Sequence, residues 1–575
     1  MTTFADRVYQ LGGVPVGGPV TQGHVYFVKP SSGSDSASGK SPAQPMASLA
    51  ALIAAYDLDP GDIVHVDTGD YSLIRNVVLT AQDSGVRIEG PGSGFAVINR
   101  GNSNSGSYIF DLQNADDITL DRLHLTGAET AVYLGSNSDS DGLTISNSRI
   151  YLNTNRGVYA ETGNDFVTVT DSQFDGGASQ VQNYGVWLLG TDTTLDGNHF
   201  TKAGYDAIVV RGARSVITNN DVHNNGRGNS GNGINASNLS SSPTDRIVIS
   251  GNRVSGSTAN GIYASSNALV VGNEVFNQRT GAMIGISGGA EVRDNIVYDN
   301  GTGISAGTGL VTGNRVYNNT TGIAADSGAR VLANRVYNNT TGIWLGTSFY
   351  ELLGNNLIYG NTGQGVWVVH SGYYGNVQQI VGNTFYQPTG TALRIDNDAS
   401  LTKVRNNIFS VGSGYGITVA DDSQPGFESD YNLFQLTGPG KIARWQGVDY
   451  TDRAAWFFEI GQDQHSLVAD PQFVNPAGPD GVLGFAGGVD GGADDDFRIA
   501  AALRLGWKSF SQKRRFCMPC IPGSACVWAS NSIAWPKWSP GSPNSTAPIR
   551  RLKSSGDVVE AFHAHSAPQA WPCQR

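Results

Sequence analysis

The chain has 575 residues, 75 of them glycine and only 15% charged, and short apolar pieces recur throughout it. That composition excludes both a coiled coil and an acidic disordered chain. The net charge of −12 conceals two unlike regions: residues 501–575 hold ten Lys and Arg against Asp557 and Glu560, leaving 27 basic and 47 acidic residues in 1–500, a net of −20. A body that acidic repels polyanions, which argues against nucleic acid as a partner.

In chain order, residues 1–24 read as a leader. Met1-Thr-Thr-Phe-Ala-Asp-Arg lacks the basic start and apolar centre of a secretory signal, and no apolar run approaches the ~20 residues of a membrane span. Residues 25–61 read as an N-terminal cap built on one amphipathic helix over 46–56, Met-Ala-Ser-Leu-Ala-Ala-Leu-Ile-Ala-Ala-Tyr. The first strand follows in Pro60-Gly-Asp-Ile-Val-His-Val.

From 62 to 434 one phrase returns about every 20 residues: Gly251-Asn-Arg-Val, Gly272-Asn-Glu-Val, Asp294-Asn-Ile-Val, Gly313-Asn-Arg-Val, Ala333-Asn-Arg-Val and Gly354-Asn-Asn-Leu. The repeating asparagines fall at 252, 273, 295, 314, 334 and 355, with weaker copies upstream at Asn220, Asn198 and Asn147. A second phrase follows each first one, as in Asn260-Gly-Ile-Tyr and Thr341-Gly-Ile-Trp. The apolar pieces alternate and are too short for helices, and the spacing of leucine-rich repeats is absent. A fixed period of this size marks a solenoid whose units bury their apolar face only by stacking. The expectation is an all-β, right-handed parallel β-helix solenoid with an N-terminal capping helix. Asn suits its corners because it tolerates left-handed backbone and its amide can bond the Asn of the next coil. About 16 coils at ~4.8 Å each make a rod roughly 75 Å long.

Aligning the second phrase gives an inward column, Val158, Val186, Ile208, Ile234, Ile262, Ile343 and Val366, and beside it an outward one. The outward column carries Tyr159, Trp187, Tyr263, Trp344 and Trp367, with Val209 and Asn235 between. Flat rings along a rod face suit the apolar face of a pyranose, so these five aromatics are candidate sugar-binding residues. The first phrase gives another outward column, Tyr151, His223, Phe276, Tyr298, Tyr317, Tyr337, Tyr359 and Tyr386, which reads as a structural ladder with His223 as its odd member.

The densest polar cluster lies between 199 and 227: His199, Lys202, Tyr205, Asp206, Arg211, Asp221, His223 and Arg227. Removing the C5 proton of a uronate requires a base and a cation to neutralise the carboxylate. Lys202, Tyr205 or His223 fits the first role, and Arg211 or Arg227 the second; Asp206 completes the candidate catalytic set. The plain alternative is a solvated coil edge with ordinary ion pairs. Asp139-Ser-Asp141 and Asp494-Asp-Asp496 are candidate Ca²⁺ ligands, though neither matches an EF-hand or Gly-rich nonapeptide pattern. Residues 435–500 read as a C-terminal cap. The basic segment 501–575 carries all four Cys, five of ten Trp and no repeat, and reads as a non-native or disordered tail rather than a domain. Its Cys517-Met-Pro-Cys520 is half of a zinc site without a partner pair.

Tyr26-Phe-Val-Lys-Pro, Gly33-Ser-Asp-Ser-Ala-Ser-Gly-Lys-Ser-Pro, the helix and Pro60-Gly-Asp-Ile-Val together resemble the entry segment of right-handed β-helix proteins of the pectate-lyase-like superfamily. Ser429-Asp-Tyr-Asn-Leu-Phe and Ala469-Asp-Pro-Gln-Phe-Val resemble its exit segment. The resemblance covers about residues 25–500. It implies a polysaccharide-binding chain, with a lyase or C5-epimerase acting on an acidic glycan as the enzymatic version. Its alternatives are a non-catalytic surface β-helix and an appendage like a phage tailspike. It further implies an extracellular, cell-surface or virion-associated setting and a monomer or homotrimer. Several enzymatic signatures are missing: Asp470-Pro471 is followed by Gln, no His-Gly occurs, and no Trp-Ile-Asp-His occurs.

Overall fold

Alternation sets the rungs. In Thr341–Leu345, Ile343 and Leu345 are fully buried while Trp344 between them faces outward and is half-buried. The computed structural model describes residues 23–500 apart from 228–230, 239, 279–282, 347–348 and 370–376. The leader expected before residue 23 and the tail with Cys517 and Cys520 lie outside the described residues.

Three parallel sheets run the length of the rod, each strand pairing with its counterpart one coil on. The first sheet has 17 strands. It opens with Val25–Val28 pairing with Ile63–Val66, ahead of the expected start at residue 62, and closes at Glu428–Asp430. The second runs from Gly69–Ser72 to Leu467–Val468. The third runs from Val77–Thr80 to Lys441–Trp445, where Val448–Tyr450 turns back antiparallel. Crossovers between parallel strands take the right hand, and the rod is an all-β right-handed parallel β-helix. Its inner faces merge into one apolar column reaching from Tyr26 to Trp456.

The corners divide two jobs that the sequence reading gave to a single asparagine. The left-handed residue is the one before it: Gly251, Gly272, Asp294, Gly313, Ala333, Asn355, Gly382 and Asn406 all have positive φ. The next residue points inward and builds a ladder. Asn314 Nδ2 donates to Asn334 Oδ1 at 2.9 Å, and the same oxygen accepts the Asn314 backbone N–H at 3.0 Å. The ladder continues through Asn356, Asn383 and Asn407 to Asn432. Asn355 therefore belongs to the left-handed column and Asn356 to the ladder. Asn147 (φ 50°) is likewise a corner residue, and Ser148 holds the ladder slot beside it. A second amide ladder, Gln278, Asn300, Asn319, Asn339 and Asn361, runs up another corner. Between them the Gly of the second phrase allows close approach: a Cβ on Gly322 would lie 2.4 Å from the Gly342 carbonyl oxygen.

Both ends are plugged. The helix spans Leu49–Ala55, shorter than 46–56, because the Ser48 hydroxyl accepts the Ala51 N–H as an N-cap and Met46 bridges to Val28 instead. Its Leu49 and Leu52 are buried in the core. At the far end a second helix, Arg453–Ile460, inserts the buried Trp456, whose indole N–H donates to Asp463 at 2.9 Å. Residues 473–499 then return along the second sheet. Phe485 and Phe497 pack on the tyrosine stack, and Asn338 Oδ1 accepts the Phe485 N–H at 2.9 Å. No helix among the described residues is long and apolar enough to cross a membrane.

Candidate functional site

The outward column of the third sheet contains all five expected sugar-binding aromatics, but it is broken into two blocks and a single ring. Register runs Tyr133, Tyr159, Trp187, then Val209 and Asn235, then Tyr263 alone. Ser287, Ser305 and Ala324 follow before Trp344 and Trp367. A continuous aromatic face is therefore not what the rod presents.

The first block is the richer one. Tyr108 stacks on Tyr133 with ring centroids 4.2 Å apart, and Tyr133, which the sequence reading passed over, leads to Tyr159 at 5.7 Å. Arg156, three residues before Tyr159 on the same strand, lays its guanidinium 4.0 Å from the Tyr159 ring and 4.8 Å from that of Trp187. Arg211 lies 5.7 Å from the Trp187 ring centroid. Neither arginine forms an ion pair with a carboxylate among the described residues, and both Arg156 Nε and Trp187 Nε1 are buried without a hydrogen bond. Burial, and next a hydrogen bond to Glu161, push the Tyr159 phenol well above its ordinary range. The second block, Trp344 and Trp367, is tied more tightly. The Trp367 indole N–H donates to Asp396 at 2.6 Å, and Arg394, which covers the ring, pairs with the same carboxylate.

The polar cluster of 199–227 does not form a single site, because a corner runs through it. His199 and His223 stand on the second sheet and Asp206 and Arg211 beside the third, with Lys202 and Tyr205 on the turn between. Tyr205 is 38% exposed, 5.7 Å from the Tyr184 ring, and carries the Arg227 guanidinium 5.6 Å from its centroid. Lys202 occupies the left-handed corner (φ 57°) that later coils fill with Asn224, Gly256, Asn277 and Asp299. Asp206 is 8% exposed and ends an amide ladder: Asn260 donates to Asn232, and Asn232 to Asp206 Oδ1 at 2.9 Å, while Asn235 Nδ2 bonds Oδ2 at 2.8 Å. Burial raises the Asp206 carboxyl above its ordinary range, opposed by these bonds.

Around the corner, His199 and Asp221 are register partners, and His223 lies two residues along the same strand as Asp221. His199 Nδ1 is 3.2 Å from Asp221 Oδ2, and His223 Nδ1 is 3.7 Å from Oδ1. Burial holds the His223 imidazole below its ordinary range, with Asp221 opposing.

The Ca²⁺ candidates fare differently. Asp141 Oδ1 accepts the Asp165 N–H at 2.7 Å in a ladder of corner aspartates, and Asp496 is paired with Arg498 at 2.6 Å. Neither segment forms a cluster of three His, Cys, Asp or Glu ligand atoms among the described residues.

Two family models match parts of the chain. Residues 226–392 and 308–426 match the family described as periplasmic copper-binding protein (NosD), and residues 59–194 match right handed beta helix region. Residues 226–426 hold one His, one Met and no Cys, so the imidazole and sulfur donors copper takes are scarce there. Among solved structures, a lacto-N-biosidase of family GH136 from Eubacterium ramulus aligns at 14% identity over 78% of this chain and 67% of that one, with a TM-score of 0.24. The N-terminal fragment of bacteriophage Phi29 gene product 12 aligns at 15% over 68% of each, with a TM-score of 0.30. A mannuronic acid specific family 6 lyase from human gut microbiota aligns at 13% over 67% and 82%, with a TM-score of 0.29. These likenesses concern the winding of the chain and say nothing of its chemistry. No curated protein matches it.

Proposed function

The chain is a right-handed parallel β-helix protein, and we propose that one flank of the rod binds an acidic polysaccharide. The observation that carries this reading is the Tyr133–Tyr159–Trp187 block with Arg156 and Arg211 laid on its rings and unpaired with any carboxylate among the described residues. Ring faces receive the apolar side of a pyranose, and a guanidinium beside them receives its carboxylate or sulfate. Two cations held on an otherwise acidic rod give the flank its preference for an anionic sugar over a neutral one. Affinity electrophoresis in gels containing polygalacturonate, alginate or a neutral glucan tests it. The wild-type chain is expected to be retarded by at least one polyuronate and not by the glucan, and Arg156→Ala to run free. Equal mobility in all gels contradicts the reading.

A lyase or C5-epimerase is the second reading, favoured by Lys202 in a strained left-handed corner beside Tyr205 and Arg227. Strain of this kind costs about 1–3 kcal/mol and is often kept where a side chain must be aimed. In that case Lys202 or Tyr205 takes the C5 proton, and Arg211 or Arg227 neutralises the uronate. Ultraviolet absorbance from unsaturated uronate, or exchange of the C5 proton with solvent deuterium, should then appear and be lost in Lys202→Asn. Neither signal on a panel of uronates leaves binding alone.

A further inference from the structure

We propose that His199, Asp221 and His223 form a binding site for a divalent transition-metal ion of the zinc and copper class on the outer face of the second sheet. The site lies round the corner from the polysaccharide flank and does not depend on it.

Three donors are delivered by the geometry of the ladder. Adjacent coils set His199 beside Asp221, and strand alternation sets His223 on the same face as Asp221. One ligand atom from each lies within 4.8 Å of the other two, and this is the only such trio among the described residues. Zinc–nitrogen and zinc–oxygen bonds of about 2.0–2.2 Å place ligand atoms some 3–4 Å apart. The 3.2 Å and 3.7 Å separations from Asp221 to His199 and His223 already sit there.

Both imidazoles turn Nδ1 toward one carboxylate, and their ring centroids are 4.7 Å apart. Asp221 Oδ1 is buried yet accepts no hydrogen bond. Its nearest cation other than the imidazoles, Arg253, is 3.8 Å away and is held elsewhere, at 3.2 Å from Glu274 and over the Phe276 ring. The oxygen that faces His223 therefore has no hydrogen bond, while His199 faces the other oxygen of the same carboxylate. Two imidazoles and one carboxylate suit Zn²⁺ or Cu²⁺, whereas Ca²⁺ takes six to eight oxygens, so the donor set chooses the class. His199 and Asp221 are about two-fifths exposed, leaving outer positions on the ion for water or a small anion.

The test uses the full-length chain and a full-length His199→Gln/His223→Gln variant, so that any metal held by other residues cancels. Zn²⁺ titration by calorimetry is expected to show one more equivalent bound by the wild type. Cu²⁺ electron paramagnetic resonance is expected to show coupling to two imidazole nitrogens that the variant lacks. Asp221→Asn, which keeps both rings, should weaken Zn²⁺ at least about tenfold. Circular dichroism establishes that the variants keep the β-helix. Equal Zn²⁺ stoichiometry in wild type and double variant overturns the site, and a Ca²⁺ equivalent lost in the variant overturns the assigned class of ion.

Discussion

The coils between residues 292 and 369 and those between 108 and 235 share one backbone plan and use it differently. In the later block each slot repeats: Asn314, Asn334 and Asn356 in one ladder, Asn319, Asn339 and Asn361 in the other, and Tyr317, Tyr337 and Tyr359 stacked about 5 Å apart outside. In the earlier block the same slots hold Ser148 and Ser172 where the ladder wants Asn, Lys202 where a corner wants Asn or Gly, and Arg156 and Trp187 on the outer face. Repetition fills hydrogen bonds and buries rings; the departures from it are where groups are left free to meet something else. On the proposed reading, stability and binding fall to different coils of one rod.

The largest effect should come from breaking the regular block. Asn334→Ala leaves the buried Asn314 N–H and amide without their acceptor and should cost about 3 kcal/mol, whereas Ser172→Ala in the irregular block should cost about 1 kcal/mol. Urea denaturation of the two variants measures the difference, and equal losses would erase the contrast.

Binding should show the reverse pattern. Trp187→Ala is expected to weaken an acidic oligosaccharide about tenfold, near 1.4 kcal/mol, with little change in melting temperature. Trp344→Ala, whose block is closed by the Trp367–Asp396–Arg394 contacts, should change affinity less than about twofold.

A smaller gain tests the corner rule. Ala333 holds φ 55° in a column that from Gly251 to Asn406 is otherwise occupied by Gly, Asp and Asn. Ala333→Gly should therefore raise stability, by up to about 1 kcal/mol.

The smallest effect is one of pH. Burial raises the folded carboxyl of Asp206 above its unfolded value. Its contribution to stability is thus full below the unfolded carboxyl range and lost as pH rises through the folded value. Asp206→Asn, which cannot ionise, should gain on the wild type as urea midpoints are taken from about pH 3.5 to pH 7. A gain in the opposite direction would show that the hydrogen bonds from Asn232 and Asn235 outweigh burial.

Periodicity made the rod legible because each apolar residue in the second phrase has to face inward: Ile343 and Val366 are register partners, fully buried, as their spacing requires. The phrase was less informative about adjacent residues of one type. At Asn355 and Asn356 the sequence cannot say which bends the chain and which bonds, since both conformations admit Asn. The second ladder is legible in Tyr317-Asn-Asn-Thr and Tyr337-Asn-Asn-Thr, where the second Asn of each pair bonds its neighbour one coil on. At the candidate sites, sequence proximity brought His223 and Asp206 into one cluster, while the corner at Lys202 and Tyr205 sends them to different sheets. Tyr133 and Arg156 were missed because they sit in coils where the Asn phrase has faded. Their signal was the return of Thr130-Ala-Val-Tyr133 as Arg156-Gly-Val-Tyr159 one coil on, which sets Tyr133 and Tyr159 in one column.

Hydroxyl-radical footprinting with mass spectrometry, with and without a saturating acidic oligosaccharide, compares the two aromatic blocks in a single experiment. Protection of Tyr133, Tyr159 and Trp187 with Trp344 and Trp367 unchanged is the predicted result. Protection of Trp344 and Trp367 alone, or of neither block when the oligosaccharide is bound, would contradict the claim that the irregular coils carry the binding flank.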